Sequence, residues 1–156
     1  MRDVTFRIAT AADAEQVADV YLTSRKAFVA FAPSAHSAEE VRLWVAGTLV
    51  PSGGVTVAEA NGTVVGMMAL SQEEGVGWLD QLYLHPSVVG QGIGAQFVER
   101  AKSELGPPIR LYTFQANVGA RRFYEREGFQ AVAFGDGTGN EEGCPDVLYE
   151  WSPTEG

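Results

Sequence analysis

Three glycines alternate in the run Val88-Val89-Gly90-Gln91-Gly92-Ile93-Gly94, where an apolar β-like segment gives way to helical spacing. Glycine lets a backbone come close to a ligand, and a helix start offers unpaired N–H groups and the positive end of a dipole. Together they make a device for holding phosphate. The loop is not a Walker A motif, because no Gly-Lys-Ser/Thr follows. Nor is it G-x-G-x-x-G, since position 95 is Ala95 and no short first βα unit precedes it. A glycine-rich turn that serves chain geometry alone is the competing reading. From Arg100 to Arg126 lie six of the 11 Lys and Arg residues, whereas Glu125 to Gly156 holds eight acids against Arg126 alone.

The elements that must position this loop are legible from periodicity. Val4 to Ile8 is a short apolar strand, and Thr10 with Asp13 makes a T-x-x-D capping signal. Val17, Val20, Tyr21, Ser24 and Phe28 then share a helical face. Ser37 and Glu40 open a second helix through Val41, Trp44, Val45 and Thr48. Gly54 to Ala60 and Thr63 to Leu70 flank Asn61-Gly62, a type I′ hairpin turn. Trp78 to Leu84 is the third strand of this meander, ended by His85-Pro86. After the glycine loop, Ile93, Phe97, Ala101 and Leu105 form a helical stripe that Pro107-Pro108 stops. Ile109 to Phe114 is a strand, Asn117 caps a helix through Glu127, and Gly128 closes it at C′. Phe129 to Phe134 and Val147 to Trp151 are the last strands, joined by the acidic loop Gly135 to Pro145. The predicted order is β-α-α-β-β-β-α-β-α-β-β, a mixed α/β (α+β) domain with a central sheet flanked by helices.

Composition bounds the rest. The 156 residues fit a single domain spanning 1–156, with 46% hydrophobic and 20% charged residues. No run approaches the ~18 apolar residues of a membrane span, and the first residues lack the apolar stretch of a secretory signal. A net charge of −9 repels phosphate backbones, which argues against a nucleic-acid partner and is compatible with a cationic one. Cys144, the single cysteine, can form neither an internal disulfide nor a thiolate zinc site, and it sits among acids. A cytoplasmic protein without a metal is the expectation.

The residues Asp80-Gln81-Leu82-Tyr83-Leu84-His85-Pro86-Ser87-Val88-Val89-Gly90-Gln91-Gly92-Ile93-Gly94-Ala95 resemble the signature of the GNAT superfamily, the acyl-CoA-dependent N-acetyltransferases. That signature is a strand, then Arg/Gln-x-x-Gly-x-Gly/Ala, then a helix. Asn117-x-x-Ala120-x-x-Phe123-Tyr124-x-x-x-Gly128-Phe129 resembles the family's next strand–helix unit. The two cover Trp78 to Phe129, and the element order outside them also fits. Val89 departs from the pattern by replacing the Arg or Gln, which removes one side-chain contact to pyrophosphate. The resemblance implies a mostly antiparallel sheet and acetyl-CoA as the acyl donor. It implies that the backbone of Leu82, Tyr83 and Leu84 runs beside the pantetheine arm, and that N–H groups from Gly90 to Gly94 hold the pyrophosphate. Asn117 and Arg121 or Arg122 become candidates for the outer part of the cofactor, with a helix cap and solvated arginines as the alternative.

Acetyl transfer to an amine needs a neutral nucleophile, a donor for the oxyanion and a proton for the leaving thiolate. Tyr124 stands where the family commonly carries the acid, with an aromatic packed beside Phe123 as the alternative; a phenol of pKa ~10 can protonate a thiolate whose thiol has pKa ~8.5. A backbone N–H near Leu82 would serve the oxyanion. Asp80, on the strand where the family often places a carboxylate base, is the candidate base, with a surface or sheet-end carboxylate as the alternative. By simple alternation it shares a strand face with Trp78, Leu82 and Leu84, with Tyr83 on the other face as packing. His36 precedes the second helix, a region that in this family often borders the acceptor pocket, with a solvated loop histidine as the alternative; His85 shapes a turn. Glu141, Glu142 and Asp146 either line an acceptor entrance or form a solvated loop. The implied acceptor is a primary amine of a small molecule or peptide, and family members often dimerise. A non-catalytic acyl-CoA-binding or sensory domain is the other expectation, which Val89 favours and Tyr124 opposes.

Overall fold

Capping and alternation build the first half of the chain. In the computed structural model, which describes residues 4–30 and 36–153, β1 is Val4–Ile8 and α1 is Ala14–Phe28. The Asp13 carboxylate stands before α1, accepts from the Thr10 backbone N–H at 2.7 Å and is gripped by the Arg7 guanidinium at 2.7 and 2.9 Å. α2 is Ala38–Trp44, opened by the reciprocal Ser37–Glu40 capping box and continued by irregular turns to Ser52. β2 (Val55–Ala60) and β3 (Thr63–Glu73) are joined by Asn61-Gly62, both at positive φ as a type I′ turn requires.

β4 (Val76–Leu84) leads through the glycine loop into α3 (Ile93–Leu105), and β5 (Ile109–Phe114) leads into α4 (Val118–Arg126). β6 (Gln130–Gly135) and β7 (Asp146–Trp151) end the fold. The element order is the predicted one. The seven strands form one sheet in the order β1-β2-β3-β4-β5-β7-β6, antiparallel throughout except for β4 and β5.

Two cores cover the two faces of the sheet. Phe97, Val98 and Ala101 of α3 pack with Tyr124, Phe129, Met68 and Tyr149 on one face. Val17 and Val20 of α1 pack with Val45, Val57 and Met67 on the other. Burying such side chains contributes about 1.5–3 kcal/mol each.

Two irregularities in β4 matter for the site. The first is its pairing with β5, which is in register only at Gly77–Ile109 and Trp78–Arg110. Beyond Trp78 the strands part. The second is a bulge: Leu70 of β3 faces Leu79 while Ala69 faces Gln81, so Asp80 is an extra residue on β4.

Candidate active site

The bulge corrects the simple alternation. Leu82 and Leu84 pack into the α3 core, while Tyr83 belongs to the α1 side. Asp80 and Gln81 line the same cleft as Tyr83. Asp80 therefore shares its face with Trp78, as expected, but with Tyr83 rather than with Leu82 and Leu84. The extra residue shifts the phase of the strand by one, which reverses every position after it.

Past the seam, β4 presents an edge with no strand neighbour, and a cleft of about 600 Å³ lies along it. One wall is Leu82, Tyr83 and Leu84, with Val89, Gly90, Gly92 and Gly94 at the loop end. Asn117, Ala120, Phe123 and Tyr124 of the α4 segment form the opposite wall, and Ser24 and Phe28 of α1 close one side. Gly90 and Gly92 each sit at φ +84°, and a Cβ on either would meet nothing within 4 Å. The loop backbone is thus bare toward its surroundings, in a conformation that side chains rarely adopt. Gly94 has a different reason: a Cβ there would stand 3.2 Å from the Phe123 ring, so its absence lets α3 and α4 approach.

The remaining sequence candidates are distributed unevenly around this cleft. Val89 is half-exposed on its wall. Asn117 lines it while accepting at Oδ1 from the Ala120 N–H at 3.2 Å, which caps α4. The Gln91 side chain lies outside it and donates to the Ser87 carbonyl at 3.4 Å; Ile93 is buried in the core. Arg121 corrects an expectation. Its Nε donates to the Tyr149 hydroxyl at 3.1 Å and its guanidinium lies 5.6 Å from the centre of the Phe134 ring, so it faces β6 and β7 instead. Helical spacing explains this: residues 119, 120, 123, 124 and 127 share the cleft face, and 121 falls off it. Arg126 is the arginine of α4 at the cleft.

Tyr124 is buried, with its ring edge-on to Phe123 and Phe129. Its hydroxyl makes no hydrogen bond among the described residues, yet no buried polar side-chain atom there is orphaned. It therefore opens onto the cleft it lines. Burial, reinforced by nearby Tyr83, raises its pKa and keeps it protonated at neutral pH.

On the far side of β4 a second cleft, of about 1030 Å³, runs between α1, α2 and the loop from Asp136 to Pro145. Asp80, Gln81 and Tyr83 form part of its wall with Tyr21, Trp44 and Arg25. Tyr83 lines both clefts and is where they meet. Partial burial raises the Asp80 carboxyl above the ordinary aspartate value. His36, Glu141, Glu142 and Asp146 line this cleft too, so the acidic loop is a wall. His36 Nε2 is 2.9 Å from Glu141 Oε2, which raises the imidazole pKa. His85 Nδ1 accepts from the Ser87 N–H at 3.1 Å and shapes its turn. Cys144 lines neither cleft.

Arg25 carries no motif in the sequence, and Tyr21 falls on the apolar face of α1, yet both line this cleft. Arg25 Nη1 reaches the Tyr83 hydroxyl at 3.4 Å, and its guanidinium lies 5.7 Å from the Tyr21 ring centre. The available signal was a cation four residues after Tyr21, on the edge of the α1 apolar stripe. Burial also pushes the Tyr21 phenol up to about 12. No group of three or more His, Cys, Asp or Glu among the described residues could hold a metal, and no helix there is long and apolar enough to cross a membrane.

A split sheet, a bare glycine loop before a helix and two clefts meeting on one strand are the features that the family match identifies as those of an acyltransferase. The model of the GNAT acetyltransferase family matches residues 18–129, and the chain belongs to that family. It is 32% identical over 99 residues, 56% of this chain and 67% of the other, to an uncharacterized N-acetyltransferase of Archaeoglobus fulgidus. Its fold is that of YjaB from Escherichia coli (TM-score 0.78, 22% identity, 97% of this chain and 99% of that one). It also matches the PaiA N-acetyltransferase of Thermoplasma acidophilum, solved in complex with coenzyme A (TM-score 0.75, 21% identity, 97% and 99% covered).

Proposed function

We propose that this acyltransferase moves an acetyl group from acetyl-CoA to a primary amine of a small molecule or peptide, by direct attack while both substrates are held. The seam between β4 and β5 carries this reading: it leaves a strand edge beside a glycine loop, which suits an extended, amide-bearing arm ending in phosphates. The residues fit such a ligand. Leu82 to Leu84 would pair with the arm through their backbone, and N–H groups from Gly90 to Gly94 would hold the pyrophosphate, with Val89 and Asn117 beside them. When bound, acetyl-CoA supplies an acyl carbonyl already joined to a good leaving group.

The chain supplies the proton chemistry. Asp80, with its raised carboxyl, takes a proton from the incoming amine directly or through water. Tyr124, protonated and with its hydroxyl unspent, gives one to the departing sulfur. A backbone N–H near Leu82 stabilises the oxyanion. The acceptor cleft carries Glu40, Asp80, Asp136, Glu141, Glu142 and Asp146 against Arg25 and His36, a field that draws an ammonium ion.

Thermal unfolding with and without ligand, followed by thiol release against an amine panel, tests this. At ~100 times Kd a ligand contributes ~2.7 kcal/mol, and each kcal/mol moves Tm by ~2–4 °C at this size. Acetyl-CoA should raise Tm by roughly 5–10 °C and NAD should not. No shift at millimolar acetyl-CoA rejects the donor assignment.

A further inference from the structure

We infer that the acceptor carries a carboxylate beside its amine, and that Arg25 and Tyr83 hold that carboxylate; the inference rests on the transferase reading above. Arg25 rises from α1 into the acceptor cleft with its side chain only 15% exposed. A guanidinium has five N–H donors. Among the described residues Arg25 makes one hydrogen bond, a long one at 3.4 Å to the Tyr83 hydroxyl. Glu142 Oε2 stands 3.6 Å from Nη2, which balances the charge without taking a donor at hydrogen-bond distance.

Tyr83 is in the same condition. Its oxygen accepts from Arg25, and its own O–H finds no acceptor among the described residues. Two neighbouring side chains on the cleft wall thus hold donors that no described residue takes at hydrogen-bond distance. No buried polar side-chain atom among the described residues lacks a partner, so these donors open onto the cleft, where an acceptor group on a ligand can take them. A carboxylate answers both, because it takes a guanidinium through two parallel bonds and has lone pairs left for a hydroxyl.

The surrounding charge says what else the ligand must carry. The other carboxylates of the cleft repel a simple anion, so the carboxylate must come with a compensating cation. An amine protonated on arrival supplies it, and the bulge holds Asp80 and Gln81 on the face of β4 that carries Tyr83. One end of the ligand meets Arg25 and Tyr83; the other meets the carboxylate proposed as base. Free amino acids, and peptides whose carboxylate lies near their amine, have this chemistry.

The test compares thiol release from acetyl-CoA for amino acids, their carboxamides and the amines lacking the carboxylate altogether. The expected kcat/KM favours the acid over its amide by roughly tenfold to a hundredfold, the range of a charge-assisted pair. Arg25→Gln should collapse that ratio to within about threefold while acetyl-CoA still binds in calorimetry, since Arg25 does not line the donor cleft. If Arg25→Gln fails to fold, Tyr83→Phe provides the same ratio. Amides used as well as acids by the unaltered protein, or a ratio indifferent to both substitutions, overturns the inference. Release that ignores the carboxylate overturns it alone; no release from any amine overturns the transferase reading with it.

Discussion

Asp80 and Tyr83, three residues apart, stand on the same side of one β-strand because β4 carries an extra residue between Leu79 and Gln81. Regular alternation would set them on opposite faces. The bulge thereby brings a carboxylate and a tyrosine to one cleft, with that tyrosine also lining the other.

Asp80 should govern the acidic limb of the reaction. A base works only above its pKa, and partial burial raises this one. The pH profile of kcat/KM should therefore rise through a value above that of an ordinary aspartate, and Asp80→Asn should lower the rate and abolish that limb. A raised carboxyl also means that the folded state binds the proton more tightly, so its stabilisation is present at low pH and lost as pH rises through the folded pKa. Asp80→Asn should accordingly leave Tm at pH 7 unchanged or slightly raised. A profile identical to the unaltered protein's would strike Asp80 from the mechanism.

Asp13 shifts the opposite way. Arg7 and the Thr10 N–H hold its carboxyl far below the usual range, and the side chain is only 7% exposed. Its contribution is present above the unfolded pKa and disappears as pH falls through the folded one. Asp13→Asn should cost about 1–3 kcal/mol at pH 7, with the gap to the unaltered protein narrowing below pH ~4. Urea unfolding at both pH values measures it; a pH-independent difference would contradict the assignment.

The glycine loop can be tested from both directions by titration calorimetry. Gly92 sits at φ +84°, so Gly92→Val forces a β-branched residue into a strained conformation and should weaken acetyl-CoA binding severely. Val89→Arg adds a guanidinium at the cleft wall, worth ~1.5–3 kcal/mol at best if it reaches pyrophosphate. Unaltered affinity in Gly92→Val would make the loop a structural turn only.

Tyr124→Phe keeps the ring and its contacts with Phe123 and Phe129 while removing a hydroxyl that bonds to no described residue. Stability should hardly move. If Tyr124 is the general acid, kcat should fall ~10²–10⁴-fold with acetyl-CoA affinity near that of the unaltered protein. Turnover within about threefold, with chemistry rate-limiting, would return Tyr124 to the core.

Much of the fold was legible because its signals are local. Ser37 with Glu40 and Asn61 with Gly62 act through bonds and dihedrals spanning a few residues, and each appears where it was read. The site was harder. Nothing in Leu79-Asp80-Gln81-Leu82 announces a bulge, since the extra residue exists only against the partner strand β3. Arg121 and Arg126 look equivalent on paper, but one turns to Tyr149 and the other to the cleft. Arg25 is silent in the sequence because its companions, Tyr83 and Glu142, lie on other elements far along the chain.

The two-pair seam between β4 and β5 makes the sheet a folding screen rather than a plate: β1 to β4 form one panel, and β5, β7 and β6 the other. The panels share the core beneath but little direct backbone bonding above it. An extended ligand lying in the gap would stand in for the missing strand pairing and bridge the two panels. Tyr83 stands on one panel, while Thr113, Phe114 and the acidic loop stand on the other, and all of them wall the acceptor cleft. A molecule seated in the first cleft would therefore lie against a wall of the second, with Tyr83 as the partition between them.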